Sequence, residues 1–328
     1  MDHKKEYKKF EKALTEALKG KLSDTQEMKL MTVNKTNVGE KRALCIYDKQ
    51  VKDGNASPNI YLDLYFQMYQ DGVPMKDIAD EVWDIYEEHR NDVVDFPIDD
   101  VFSFDKIKSR IIFKILNQDL NKRIKEESPY IIFMDLLVTF QIVACEVKDT
   151  VGYIRITNTM MKAWGVSLEM VLVEALKNSE RLYPARLVSL SAIIGQTASE
   201  CFDYPFDVKE VDYFDTEMIE VCEDDLLVLT NSSKINGFGC IMYHGCAKRI
   251  SKIVGGDFYI LPSSLHEAII LPEKYGIKEP QELLAMVKEV NQNMVAPEDF
   301  LSDNVYYYSQ ERDEFVTISN KEGVVSCV

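Results

Sequence analysis

Between residues 75 and 89, Met75, Ile78, Val82, Ile85, Tyr86 and His89 fall on one side of a 3.6-residue period. Asp77, Asp80, Glu81, Asp84, Glu87 and Glu88 fall on the other, which predicts an amphipathic helix with an acidic outer stripe. The same period over residues 2–20 puts Tyr7, Phe10, Leu14 and Leu18 on one face of an opening helix. Residues 28–33 and 42–47 read as two strands of a hairpin around a polar connection containing Gly39. Residues 60–70 follow a Ser57-Pro58 entry and end at Gly72, which predicts a helix buried on most sides. A strand is expected at 111–116. The near-continuous apolar runs 136–147 and 151–157 predict a hairpin in the middle of a sheet.

Helices follow at 158–164 and 168–177, divided by Gly165, then a short strand and a helix within 184–196. Past a pattern-poor stretch at 201–225 the order is strand 226–230, glycine loop 236–239 and helix 243–254. The densest signals come next, in 255–272: two glycines able to stop a helix, a strand at 258–261, turn chemistry at Pro262, Ser263 and Ser264, and a second strand at 268–271. His266 and Glu267 are thereby expected to enter a mostly buried segment. A helix at 279–294 directs Leu283, Leu284, Met286, Val287 and Val290 toward the core, and 305–308 with 315–318 make a last hairpin. The class expected is α+β, with mixed or antiparallel sheets flanked by amphipathic helices in two subdomains. These are residues 1–200 and 226–328, joined by an acidic connection at 201–225.

Composition changes this picture in one respect. The 328 residues are 46% hydrophobic and 10% aromatic, as a globular chain should be, but the net charge is −17 and it is uneven. Residues 51–100 hold 13 acidic against 3 basic side chains, and 201–250 hold 10 against 4. Such a field disfavours direct nucleic-acid binding and anionic membranes, and favours a basic protein partner. The opening segment is charged where a signal peptide is apolar. The longest apolar region, 130–145, is interrupted by Asp135, Thr139 and Gln141 and falls short of a bilayer span. Seven cysteines without a repeated spacing read as reduced core residues of a cytoplasmic protein.

Catalytic and cofactor motifs fail on their spacing. His266-Glu267 suggests a zinc peptidase, but no second histidine follows one turn later, so only an acid/base pair remains. Cys240, His244 and Cys246 offer soft metal ligands without the usual close cysteine pair, with Cys222 as a candidate fourth. Asn236-Gly237-Phe238-Gly239 before Lys248 and Arg249 echoes a phosphate loop but lacks its Lys-Ser/Thr ending, and Ser263 and Ser264 lack a nucleophile-elbow context. No cofactor is expected.

Four blocks carry a resemblance. SPNIYLDLYFQMYQDG (57–72), PMKDIADEVWDIYEEHR (74–90), LPSSLHEAIILP (261–272) and VAPEDFLSDNVYYY (295–308) resemble an uncharacterised domain-of-unknown-function family. That family is abundant in gut Gram-positive bacteria and on mobile elements, and distantly similar to YtpQ-like proteins. The resemblance implies no activity and no assigned catalytic residue; Ser263, Ser264, His266, Glu267, Asp299 and Asp303 sit in the matching blocks. The reading is a non-catalytic interaction module with a protein partner, its oligomeric state open. Two alternatives stand beside it: an acidic inhibitor or DNA mimic working through the 77–88 stripe, and a hydrolase-like enzyme working through His266 and Glu267.

Overall fold

A computed structural model describes residues 2–49, 59–90, 98–147, 150–190, 203–204, 226–275, 279–319 and 323–327. The chain divides into two compact units, Met1–Ser103 with Val143–Tyr153, and Phe104–Ile142 with Ile154–Val328. The fold is α+β, and the paired strands of its sheets run antiparallel.

The first unit is built from α1 (Asp2–Lys19), β1 (Gln26–Lys35), β2 (Gly39–Asp48), β3 (Ile60–Tyr61), α2 (Asp63–Gln70) and α3 (Met75–His89). Phe10, Leu14 and Leu18, spaced by four, are fully buried. They join Leu44 and Ile46 of β2 and Ile78, Val82 and Tyr86 of α3 in one apolar core. The hairpin turns at Asn37, whose φ of 62° is one that asparagine tolerates. The helix predicted from residue 60 starts later. Ile60 and Tyr61 pair with Leu44 and Ala43 as a third strand, and the Leu62 amide still donates to the Arg42 carbonyl before the chain coils. An apolar run gives no internal sign of where strand yields to helix. Ser57 and Pro58, the expected entry, lie outside the described residues.

From residue 104 the chain forms α4 (Phe104–Ile107), β4 (Ile111–Asn117), α5 (Lys122–Glu127), β5 (Tyr130–Phe133), β6 (Leu136–Val147) and β7 (Thr150–Arg155), of which Val143–Tyr153 belongs to the first unit and the rest to the second. Strand β6 lies between β4 and β5, and β7 also pairs with it, as its apolar content predicts. Next come α6 (Asn158–Trp164) and α7 (Leu168–Leu182). Gly165 at φ 65° separates them, and Thr157 and Ser167 cap them by accepting from the Met160 and Met170 amides.

The larger sheet has the order β15-β14-β13-β11-β12-β10-β8-β9, from β8 (Ala185–Ser189), β9 (Asp203–Tyr204), β10 (Leu227–Asn231), β11 (Phe258–Pro262), β12 (Ala268–Pro272), β13 (Val305–Ser309), β14 (Glu314–Ser319) and β15 (Gly323–Cys327). Strand β8 precedes the acidic stretch 201–225 and β10 follows it, yet the two pair along their length. Apart from β9 that stretch lies outside the described residues, as does the helix expected before 196.

Two helices flank these strands: α8 (Cys246–Val254) and α9 (Pro280–Met294). Helix α8 starts three residues later than predicted, because 237–242 form a 3-10 turn and Gly245 is left-handed at φ 69°. In α9, Leu283, Leu284 and Val287 are buried, but Met286 is 52% exposed and Val290 is also exposed. Asn291 is buried on the inner face, donating to the Ser302 carbonyl and the Asp303 carboxylate, a polar contact that apolar spacing does not reveal. Among the described residues no helix is long and apolar enough to cross a membrane.

Candidate functional site

The turn between β11 and β12 is tied into the fold by almost every polar atom it has. The Ser263 hydroxyl donates to Glu267 Oε1 at 3.2 Å, the His266 amide donates to Ser264 Oγ at 3.0 Å, and the His266 carbonyl accepts from Thr230 Oγ1 at 2.8 Å. Gly237 passes so close beneath that a Cβ there would lie 2.4 Å from the same carbonyl. The glycine loop that echoes a phosphate cradle thus serves a close backbone approach.

The imidazole is also committed on both nitrogens. The Asn236 amide donates to Nδ1 at 3.1 Å, so Nδ1 carries no proton, and Nε2–H donates to Asp299 Oδ1 at 3.1 Å. A histidine base in a hydrolase has a carboxylate on one nitrogen and leaves the other for the nucleophile. Here the second nitrogen faces a backbone donor. The strands on either side of the turn are mostly buried, while His266 and Glu267 are half-buried and the side chains of His266 and Asp299 are 35% and 36% exposed. A long-range ¹⁵N-¹H correlation spectrum should show the Nε2–H tautomer for this ring and no other, and an Nδ1–H signal would remove the assignment.

Asp299 itself is held by a clasp that the sequence reading does not identify. Its carbonyl accepts from the Leu265 amide at 2.8 Å. Downstream, Ser302 Oγ, Asn304 Nδ2 and Tyr306 OH all donate to the Asp135 carboxylate, at 3.2, 2.8 and 2.6 Å. Two of the four resembling blocks, 261–272 and 295–308, are therefore joined through His266 and Asp299, and the second is pinned to the β5–β6 turn. The one sequence signal for Asp135 was its interruption of the longest apolar run.

The soft-ligand trio does not converge. Cys240 and Cys246 are fully buried and His244 is exposed. Burial pushes both thiols up, away from the thiolate a metal or an electrophile needs, and the Cys240 thiol donates to the Thr230 carbonyl. Cys222 lies outside the described residues. Among those described, no group of three His, Cys, Asp or Glu side chains is placed to hold a metal.

The acidic stripe of α3 divides into two kinds of carboxylate. Asp80 pairs with Lys21 at 2.6 Å and Glu87 with Arg90 at 2.9 Å. Asp77, Glu81, Asp84 and Glu88 are exposed and make no ion pair among the described residues. Their spacing of four, three and four places them in one line, about 16 Å long at 1.5 Å per residue.

In comparison with known proteins, residues 7–310 match the model of a family described as Family of unknown function (DUF5688), a span that contains all four resembling blocks. No curated protein and no solved structure matches the chain.

Proposed function

The chain belongs to the family of unknown function DUF5688, and from that premise we propose that it is a non-catalytic interaction module that engages a basic protein through the outer line of α3. The observation that carries this reading is the division within the stripe. Asp80 and Glu87 are each neutralised by a cation of the same chain, Lys21 and Arg90, while Asp77, Glu81, Asp84 and Glu88 keep their charges exposed in a line. Like charges three and four residues apart weaken a helix that stands alone, and a basic partner offsets that repulsion. The commitment of both His266 nitrogens supports binding over hydrolysis.

Two readouts test it together. Changing Glu81→Gln, Asp84→Asn and Glu88→Gln, with Asp77 kept for its favourable place in the first turn, should raise the urea midpoint of the free chain. The same variant should lose a stoichiometric basic protein captured from the native host, and should bind that protein, once purified, at least about tenfold more weakly at low salt. A control of equal net charge, Glu126→Gln, Glu289→Gln and Glu311→Gln, should bind as the parent does. Equal binding by all three chains would remove α3 from the interface.

A further inference from the structure

Among the buried polar atoms of the second unit that have no hydrogen-bond partner among the described residues are Thr139 Oγ1, Gln141 Nε2 and Arg155 Nη1. Thr139 is 4% and Gln141 9% exposed, so water does not satisfy them from the open surface. The strand register collects them. Lys114 of β4 stands directly opposite Thr139 of β6, and Ile112 opposite Gln141, so Lys114, Thr139 and Gln141 share one face as direct and diagonal neighbours. Arg155, at the end of β7, and Asp299 are both near enough to act on the Lys114 charge. The Lys114 ammonium makes no hydrogen bond or ion pair among the described residues. Burial holds its pKa below the usual lysine value, and Arg155 adds to that effect while Asp299 opposes it.

The donor inventory defines what fits. An ammonium, a guanidinium nitrogen and an amide nitrogen can only donate, and the threonine hydroxyl can donate as well. Donor groups thus outnumber acceptors on this face, where the Asp299 carboxylate is the anion acting on Lys114, and that imbalance calls for an acceptor-rich anion. Two cations against the single carboxylate of Asp299, whose Oδ1 already serves His266, leave one positive charge over. We propose that this face of β4 and β6 binds a small oxyanion, carboxylate or phosphate, through Lys114, Thr139, Gln141 and Arg155. The site uses no residue of α3 and is independent of the role proposed for that helix.

The test uses the full chain, titrated separately with inorganic phosphate and with succinate, each against sodium chloride at matched ionic strength. A saturable rise in Tm beyond that in chloride is expected with at least one of them. A response to phosphate alone assigns a phosphate ligand, and a response to succinate alone assigns a carboxylate. Lys114→Met should weaken the binding about tenfold or more. Thr139→Val, equal in shape and lacking only the hydroxyl, should weaken it roughly threefold and carries the test if the lysine variant does not fold. No saturable effect from either anion would overturn the proposal and leave internal water as the partner of these groups. Binding by the folded variants as tight as the parent's would overturn it equally.

Discussion

Gly237→Ala should destabilise the protein by about 3 kcal/mol or more, at the upper end of what overfilling a packed site costs. An added methyl would lie 2.4 Å from the His266 carbonyl oxygen, 2.4 Å from Thr230 Oγ1 and 2.9 Å from the Asn231 amide nitrogen, all closer than a real Cβ ever stands. The first two atoms are bonded to each other at 2.8 Å, and their strands are held in register with Leu229 against Ala268. The His266 carbonyl and the Asn231 amide are backbone and cannot withdraw without disturbing the turn and the end of β10, and Thr230 Oγ1 can turn away only by giving up its hydrogen bond. Gly237 lacks a left-handed φ, so the cost is steric throughout. Gly255→Ala is the matched contrast. Its φ is 81° with nothing within 4 Å, and it should cost only about 1 kcal/mol from backbone strain. Urea denaturation of the two variants measures the difference. A Gly237→Ala chain within 1 kcal/mol of the parent would mean that the loop is not held against the turn.

That contrast marks what the sequence can and cannot carry. Gly255 is legible as a helix stop because its requirement is local, a left-handed φ at the end of an apolar period. Gly237 is not, because its requirement comes from His266, 29 positions away in the chain. The same division holds across the fold. Helices α1 and α3 and the hairpins β1–β2, β6–β7, β11–β12 and β13–β14 follow from periods and turns local in the chain. The order of the eight-stranded sheet depends on pairings such as β11 with β13 and β8 with β10, for which local pattern holds no signal.

At the candidate site His266 stands out in sequence as half of a His-Glu pair between two apolar runs, with Ser263 and Ser264 beside it. Its real partners were a backbone amide at Asn236 and a carboxylate at Asp299, reached only by folding. The polar interruptions of the run 130–145 carry more than an argument against a bilayer span. Asp135 proves to anchor the segment that carries Asp299, while Thr139 and Gln141 are buried without partners on the Lys114 face. A polar residue inside a buried strand needs a partner, so each break in an apolar run should be read as a site awaiting one.

Asp135→Ala should cost about 2–4 kcal/mol, more than a half-exposed aspartate ordinarily contributes, because one carboxylate accepts from three side chains of a single segment. Tyr306, whose hydroxyl makes the shortest of the three bonds at 2.6 Å, is fully buried, and alanine removes its acceptor in a place water does not reach. Asparagine keeps one acceptor oxygen but turns an NH₂ toward the remaining donors, so Asp135→Asn should fall between alanine and the parent. Tyr306→Phe removes one donor and leaves Asp135 with Ser302 and Asn304, which limits its cost to about 1–1.5 kcal/mol. A double-mutant cycle between Asp135→Asn and Tyr306→Phe should return a coupling of at least about 1 kcal/mol, since the two groups touch. Loss of the anchor should also reach the imidazole. With residues 299–306 loosened, the Asp299 carboxylate no longer stands opposite Nε2, and the tautomer signal of His266 should broaden in Asp135→Ala at temperatures where the chain remains folded. If Asp135→Ala matched the parent within about 0.5 kcal/mol and the His266 signal were unchanged, the clasp would be incidental, and the joining of the two blocks would rest on His266 and the Leu265 amide.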